Sequence, residues 1–392
     1  MMLEMLNEKT LKRSKMKNKT IAIHKGTLRD KKTGGVNTPI YTSSANDYIN
    51  KDETLYPRYF NTPNQDAVAK KIAALEHTEA GLVFSSGMGA ISTAILAYAG
   101  TGDNIVMLDA LYGGTHNFAT EWFSHFGIEC TFTKTSAADV IKGVTPKTKV
   151  IVIESPTNPL LAVVDIEKIA RFAKEKKITT IIDNTFASPV NQTPLDLGID
   201  IVVHSGTKYL GGHSDLCCGM VACSNEKMEK ILSLARVLGP SLDPRICYLL
   251  ERSMKTLVLR VNAQTKNAME VAQFLEGHPD ISKVYYPGLE RFEGYEIAKQ
   301  QMTDFGAMLS FEIKDKDSSQ FISQLKIISP AVSLGGVEST ICPPSLTSHA
   351  KMSAGERQRI GVTDSLLRLS IGLEDADDLK QDLDNALKKV SQ

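Results

Sequence analysis

The chain has 392 residues, 42% of them hydrophobic, with 45 lysines and arginines against 45 aspartates and glutamates. This length allows a large core and a second, smaller unit, and the balanced charge excludes a global field that would draw the protein to nucleic acid or to an anionic membrane. No apolar run approaches the length that spans a bilayer or forms a signal peptide, so we expect a soluble, cytoplasmic protein.

Residues 1–32 contain ten lysines and arginines, a composition typical of a mobile, solvated arm rather than of a binding tail. The six cysteines form no CxxC pair and stand at no zinc-ligand spacing with a histidine, so we expect reduced, mostly buried thiols and no metal site.

The next informative stretch is residues 56–63, where prolines and asparagines predict a loop. Tyr56 and Arg58 are two residues apart in it and can project toward one anion, since a guanidinium suits bidentate contact with phosphate. The alternative is an exposed loop that is pinned by aromatic packing.

A helix is predicted over 65–77, followed by a strand over 81–84 that breaks into glycines and re-enters a helix. The first amides of such a helix have no internal partner and face the positive end of its dipole, which makes a phosphate cradle at Gly87 and Met88. The stretch is neither GxGxxG nor a P-loop, so it favours a cofactor with a single phosphate over a nucleotide.

Short apolar runs then alternate with helices, which predicts a doubly wound, mostly parallel sheet. Ligands of such sheets bind beyond the carboxyl ends of the strands. The predicted strands are 105–108, 150–153, 179–182, 201–203 and 220–222, with helices over 166–177 and 225–238. Five residues that carry chemistry fall at predicted strand ends: Gly87, Tyr112, Asn158, Asp183 and Lys208.

A second, smaller unit follows. We predict one long helix over 243–275 that links it to the first unit, and then strands that alternate like a half-exposed sheet. These strands are 284–286, 307–313 and 367–371, with helices over 318–325 and 376–390.

An apolar run ends in small hydroxyl residues, which are followed by Lys208 and then by two glycines, an arrangement that delivers an amine from a sheet edge into a cleft. Pyridoxal phosphate chemistry needs such a lysine for a Schiff base, together with an acid for the pyridine nitrogen, an aromatic face, a phosphate cradle and an arginine for the substrate carboxylate. The sequence supplies all five. Asp183 lies one strand-helix-strand unit before Lys208, so both can reach one ring.

At these residues the chain resembles a known family. The segments FSSGMGAI, LYGGT, ESPTNP, DNTFASP, HSGTKYLGGHSD, SLGGVES and LLRLSIGLED are similar to the fold-type I pyridoxal phosphate enzymes of sulfur amino-acid (Cys/Met) metabolism, the trans-sulfuration enzymes. The resemblance runs from Thr20 to the C-terminus. It implies an N-terminal arm and inter-subunit loop over 1–60, a cofactor domain over 61–245 and a smaller C-terminal α/β domain over 246–392.

The resemblance also implies roles for single residues. Lys208, Tyr112 and Asp183 would be catalytic, as Schiff-base lysine, stacking ring and pyridine partner. The cofactor would contact Tyr56, Arg58, Gly87, Met88, Tyr112, Asn158, Asp183, Ser205, Thr207 and Lys208, and the substrate carboxylate would contact Asn158, Ser333 and Arg368. Tyr56 and Arg58 would serve the neighbouring subunit, which implies a homodimer with shared active sites, usually paired into a homotetramer.

Three positions depart from family patterns. Cystathionine-specific members usually carry acids where Leu55 and Val332 stand, and their absence favours a smaller, less polar substrate such as methionine or homocysteine. Methionine γ-lyases usually carry a cysteine where Gly114 stands, so the departures conflict. All three are candidate substrate contacts.

We therefore expect a pyridoxal phosphate-dependent carbon–sulfur lyase that eliminates the γ or β thiol of methionine, homocysteine, cystathionine or cysteine. The alternatives are a γ-replacement synthase that joins an activated homoserine to cysteine or sulfide, and a cofactor-binding protein without turnover. A nicotinamide oxidoreductase is argued against by the missing GxGxxG.

Overall fold

The computed structural model describes residues 16–315, 317–347, 350, 355, 357 and 360–390. These residues form two sheets. The large sheet has seven strands in the order β1-β7-β6-β5-β4-β2-β3, and the small sheet has five in the order β10-β11-β12-β9-β8. The strands are β1 Ala80–Phe84, β2 Asn104–Leu108, β3 Glu129–Thr133, β4 Thr148–Glu154, β5 Thr179–Asp183, β6 Ile201–Ser205, β7 Gly219–Cys223, β8 Ile281–Tyr285, β9 Met308–Ile313, β10 Ser329–Pro330, β11 Thr340–Cys342 and β12 Leu366–Ser370.

Helices cover these sheets and connect their strands. In chain order the α-helices are α1 Asn18–His24, α2 Pro63–Leu75, α3 Gly87–Leu96, α4 Gly113–Trp122, α5 Ala137–Gly143, α6 Ile166–Lys176, α7 Ser188–Asn191, α8 Asn225–Leu238, α9 Pro244–Met254, α10 Leu257–Glu276, α11 Tyr295–Gln301, α12 Ser318–Gln324 and α13 Ala376–Lys389. Short 3-10 turns lie at Pro57–Tyr59, Phe123–Phe126, Pro194–Leu197 and Pro344–Leu346.

The large sheet is mostly parallel, as predicted. Strands β2 to β6 pair in parallel, and only β7 runs antiparallel to its neighbours β1 and β6. The side chains of β2 and β7 are buried throughout, which is why these strands read as unbroken apolar runs. The carboxyl ends of the parallel strands therefore meet at one edge, where the candidate residues lie.

The small sheet differs from the half-exposed sheet that we predicted. Every residue of β12 is buried, and so are all but one of β9. One reason is that this sheet meets the loops of the large sheet: Ser310 of β9 donates a hydrogen bond of 2.7 Å to the Pro159 carbonyl. Its other strands, β8 in particular, keep exposed residues.

The predicted helix over 243–275 is wrong in its continuity, because it is two helices, α9 and α10. They are separated at Lys255 and Thr256. The Ser253 carbonyl accepts from the Thr256 hydroxyl at 3.1 Å and from the Arg260 guanidinium at 3.0 Å. Two side chains thus bind a backbone carbonyl at the junction. Hydroxyl side chains commonly compete in this way with the backbone hydrogen bonds of a helix.

The prediction of a solvated arm is wrong for residues 18–24, which form α1. Ile21 and Ala22 are buried, and the buried Lys71 of α2 donates to the Ala22 carbonyl at 2.8 Å. Two apolar side chains and one internal lysine therefore hold this segment on α2. The more N-terminal lysines and arginines, Lys9, Lys12, Arg13 and Lys15, lie outside the described residues.

Within the described part of the chain, no helix is both long and apolar enough to cross a membrane. The six cysteines are free thiols: Cys218, Cys223, Cys247 and Cys342 are buried, Cys130 is half-buried and Cys217 is exposed.

Candidate active site

The candidate site lies where β4, β5 and β6 end. Glu154 pairs with Asp183 in the register of β4 and β5, and Asp183 pairs with Val203 of β6. Because side chains alternate along a strand, Glu154, Asp183 and Ser205 lie on one face of the sheet. Two carboxylates and a hydroxyl thus meet at the edge where ligands of parallel sheets bind.

The start of α3 lies against this edge. Ser86 caps the helix by accepting the Gly89 N–H at 3.0 Å, which leaves the first amides, those of Gly87 and Met88, without an intrahelical acceptor. A Cβ on Gly87 would lie 2.9 Å from the Ser205 Cβ, so only glycine allows this approach. The helix start and Ser205 together form a cradle for an anion.

Lys208 projects from the loop after β6. Its Nζ donates a hydrogen bond of 2.7 Å to Ser333 Oγ, so the small-sheet region touches the loop of the large sheet here. Burial, together with the nearby Arg368 guanidinium, lowers the pKa of Lys208 to about 8. A larger fraction of this amine is therefore neutral near neutral pH than of a solvated lysine.

Asp183 is enclosed by protein although part of its surface stays open. Burial raises the pKa of this carboxyl, while hydrogen bonds from Thr185 and the charges of His204 and Lys208 oppose the rise. Thr185 contacts it through both its backbone N–H, at 3.0 Å, and its hydroxyl. A carboxylate in this position can hold a cationic ring nitrogen.

Arg368 of β12 is buried and faces the same cleft. Its guanidinium donates to Asn158 Oδ1 at 2.9 Å and to the Ser333 carbonyl at 3.2 Å. Ser333 has a φ of +79°, a left-handed conformation that costs energy for a non-glycine residue and often marks a functional site. Arg368, Asn158 and Ser333 can together receive a carboxylate.

Glu154 is a residue of this cluster that the sequence analysis did not propose for the site. It is buried, and it accepts the backbone N–H of Tyr112 at 2.8 Å and that of Asn158 at 3.0 Å. Burial and the facing Asp183 raise its pKa well above the usual range. Its position at the end of β4 was the available signal. Asp183 was proposed because it lies at the end of a strand, and the same reasoning applies to Glu154.

Tyr112 precedes α4, and its ring is 46% exposed. A Cβ on Gly114 would lie 2.5 Å from Tyr112 Cε1 and 2.9 Å from Met88 Sδ. Gly114, Tyr112 and Met88 are therefore close neighbours beside the cradle. Thr207, in contrast, directs its hydroxyl to the Cys218 carbonyl at 3.2 Å, so it also ties the lysine loop to β7.

Three predicted site residues, Leu55, Tyr56 and Arg58, form no hydrogen bond or ring contact with this cluster among the residues described, whereas the fourth, Val332, directly precedes Ser333. The Arg58 guanidinium binds the Arg236 carbonyl at 2.6 Å and lies over the rings of Tyr56 and Tyr59. Leu55 is half-buried in the same loop, and Val332 is 68% exposed. Within one chain, the residues described do not connect the 55–58 loop to Lys208.

Comparison with known proteins assigns the class. The family model "Cys/Met metabolism PLP-dependent enzyme" matches residues 19–388. The cystathionine γ-lyase of Bacillus subtilis is 42% identical over 96% of this chain and 100% of its own length, and the L-methionine γ-lyase of Fusobacterium nucleatum subsp. nucleatum is 41% identical over 95% and 98%. The crystal structure of cystathionine γ-lyase from Lactobacillus plantarum complexed with L-serine superposes with a TM-score of 0.92 at 42% identity, covering 96% of this chain and 100% of that one.

Fold, site and matches together define an enzyme that depends on pyridoxal 5′-phosphate. The chain belongs to the Cys/Met metabolism PLP-dependent enzyme family. The predicted family, fold class and cofactor are confirmed.

The residues present fit this cofactor. The helix start at Gly87 offers free amides to a phosphate, Asp183 offers an enclosed carboxylate to a ring nitrogen, and the Tyr112 side chain is exposed beside Gly114 and Met88. The amine of Lys208 has the lowered pKa that a covalent attachment needs.

Proposed function

We propose that this enzyme is a carbon–sulfur lyase that converts a sulfur amino acid into a 2-oxo acid, ammonia and a thiol. The observation that carries the proposal is the meeting of Lys208 with Ser333 and Arg368, because it places a basic amine beside a carboxylate receptor. The names of the two lyase relatives support the reaction class.

The substrate side of the site is built from three residues. Arg368 binds the substrate carboxylate, with Asn158 and Ser333 orienting its guanidinium. Anchoring this end presents the Cα–H to Lys208, since the two groups flank the same cleft. Leu55 and Val332 put no charge near the distal end of the substrate, which favours methionine or homocysteine over cystathionine.

The cofactor side uses the remaining candidates. Gly87, Met88, Ser205 and Thr207 would hold the phosphate, Asp183 would hold the ring nitrogen, and Tyr112 would supply the aromatic face for the ring. Pyridoxal phosphate, when bound, supplies the electron sink for a carbanion at the substrate Cα. Lys208 takes the Cα proton, and its pKa of about 8 suits a base that works near neutral pH. The Tyr112 hydroxyl is available to protonate the departing thiolate.

The test is a panel of methionine, homocysteine, cystathionine and cysteine with the purified holoenzyme. We expect 2-oxobutyrate from γ elimination, or pyruvate from β elimination, and no product from Lys208→Ala. Absence of any oxo acid from the wild-type protein, with the visible band of bound cofactor intact, contradicts the proposal. Faster consumption of an O-acyl-homoserine with added thiol would instead identify a synthase.

We propose further that the active unit is a homodimer in which Tyr56 and Arg58 complete the partner's phosphate site. The support is that both side chains are exposed on one loop, where Arg58 binds the end of α8 and lies over the Tyr56 ring rather than near its own Lys208.

A further inference from the structure

A buried carboxylate–imidazole pair lies next to the strand ends of the site. Glu76 follows α2, His204 belongs to β6, and their side chains are 0% and 1% exposed. His204 Nε2 lies 2.5 Å from Glu76 Oε1, and the same oxygen accepts from Asn184 Nδ2 at 2.9 Å. Asn184 directly follows Asp183, so the pair is tied to the backbone beside the ring carboxylate.

The geometry of this contact fits a carboxylate that is paired with an imidazolium. Two nitrogens converge on one oxygen of Glu76, an arrangement that favours a carboxylate acceptor. The other oxygen, Oε2, is buried and has no hydrogen-bond partner among the residues described. A buried carboxylate costs much free energy unless a cation is paired with it, and His204 is the group in position to supply that cation.

His204 lies behind Asp183, on the other side of the sheet. Asp183 pairs with Val203 across β5 and β6, so His204 is the next residue along β6 and its side chain lies on the opposite face of the sheet. The titratable groups around Asp183 are Glu154 from β4, Lys208 from the loop after β6, and His204. Of these, His204 and Lys208 lower the pKa of Asp183 against the effect of burial, whereas Glu154 is a second acid.

We propose that His204, held by Glu76, is a positioning residue that keeps Asp183 ionised from the reverse face of the sheet. Lys208 changes its bonding and its proton during the proposed reaction, whereas a buried imidazolium locked to a carboxylate does not. The pair would thus give Asp183 a constant positive neighbour. The expected effect on the pH dependence of kcat/KM rests on the proposed function. The positive charge proposed for His204 does not depend on that function.

The first experiment reads that charge directly. Nitrogen-15 NMR of histidine-labelled holoenzyme, with the His204 signals assigned by their loss in His204→Gln, should show both ring nitrogens protonated at pH 7.5. A neutral ring at this pH overturns the proposal. The measurement needs no turnover, so it decides even if no lyase activity is found.

The second experiment reads the effect on Asp183. In His204→Gln the acidic limb of kcat/KM, and the pH midpoint of the visible cofactor band, should both move up by about one pH unit, because Asp183 without its cation takes a proton more easily. Glu76→Gln removes the negative charge that holds the imidazolium, so it should move the acidic limb and the band midpoint in the same direction. This second variant replaces His204→Gln in the experiment if His204→Gln does not fold.

The matched control is His77→Gln. His77 also pairs with a carboxylate, Asp196 at 2.6 Å, but that pair is about one-third exposed. We expect its pH profile and spectrum to stay at the wild-type values. Equal shifts in the control and in His204→Gln, or no shift in either, would overturn the role assigned to His204.

Discussion

At the scale of single residues, Gly114 controls where the Tyr112 ring can lie. A Cβ there would meet Tyr112 Cε1 at 2.5 Å and Met88 Sδ at 2.9 Å, so Gly114→Ala must push the ring aside. Because the ring is nearly half exposed, it can move outward, and alanine favours the first turn of α4. We expect kcat/KM to fall by about tenfold while the free energy of unfolding changes by less than about 1 kcal/mol.

Steady-state kinetics and urea unfolding of the holoenzyme check this prediction. Gly100→Ala is the control, since a Cβ at that position meets nothing within 4 Å. A Gly114→Ala variant with wild-type kcat/KM would show that the ring's position does not matter to the reaction.

Sequence reasoning at this scale predicted single site residues but did not predict residues that act as a pair. Asp183 was predicted because it ends a strand, and Lys208 because it lies in the loop directly after one. His204 and Glu76 were not, because a histidine in a strand and a glutamate after a helix are ordinary until the fold brings them together across 128 positions. Their role depends on burial, which the sequence does not display.

At the scale of elements, strand and helix types were largely predictable, but a break and a docked segment were not. The helical periodicity of the sequence continues from 243 to 275, through the junction of α9 and α10. The helix itself is interrupted at the junction, where the Thr256 and Arg260 side chains bind the Ser253 carbonyl. The basic composition around α1 likewise hid two apolar side chains that pack against α2. Side-chain hydrogen bonds to the backbone account for the helix break, and tertiary packing accounts for the docking of α1.

The docking of α1 gives a prediction about stability and pH. Lys71 is fully buried, and burial lowers its pKa from 10.5 to about 8, with the Glu251 carboxylate opposing the shift. Between those two values the unfolded chain binds a proton that the folded chain does not, so this group makes the free energy of unfolding rise with pH over that window. Below pH 8 that contribution is absent.

In Lys71→Met this rise should disappear. We expect the variant to lose stability relative to wild type as the pH goes from 8 toward 10, because only the wild type gains there. Urea unfolding at fixed pH values measures the difference. Lys70→Met is the control, since Lys70 is exposed and forms a surface pair with Asp66, and its difference from wild type should stay flat. A flat difference for Lys71→Met would show that the buried amine keeps an ordinary pKa.

At the scale of the whole molecule, the sequence predicted two sheets and the edge on which the candidate residues gather, because alternating apolar runs and helices are typical of a parallel sheet, whose carboxyl ends lie together. It predicted less well how the small sheet contributes. Arg368 and Ser333 come from a region more than 120 positions beyond Lys208, and their meeting depends on how β12 packs over the loops of β4 and β6.

The proposed sharing of sites between subunits belongs to this scale as well. If Arg58 serves the partner's cofactor while Lys208 serves its own, then Lys208→Ala and Arg58→Ala damage different halves of each shared site. Co-expressing the two variants with different tags should yield mixed dimers in which one site has both residues intact. We expect the mixture to recover about a quarter of wild-type activity when each variant alone has little, since half of the dimers are mixed and half of their sites are whole.

The control pairs Lys208→Ala with Asp183→Ala. Both residues belong to the same strand-end cluster of one chain, so in a mixed dimer each site lacks one of them and no activity should return. Recovery in the first mixture and not in the second requires that Arg58 acts across the subunit boundary. Equal behaviour of the two mixtures would place Arg58 in its own chain's site or outside any site, and the exposed loop at 55–58 would then have only a packing role.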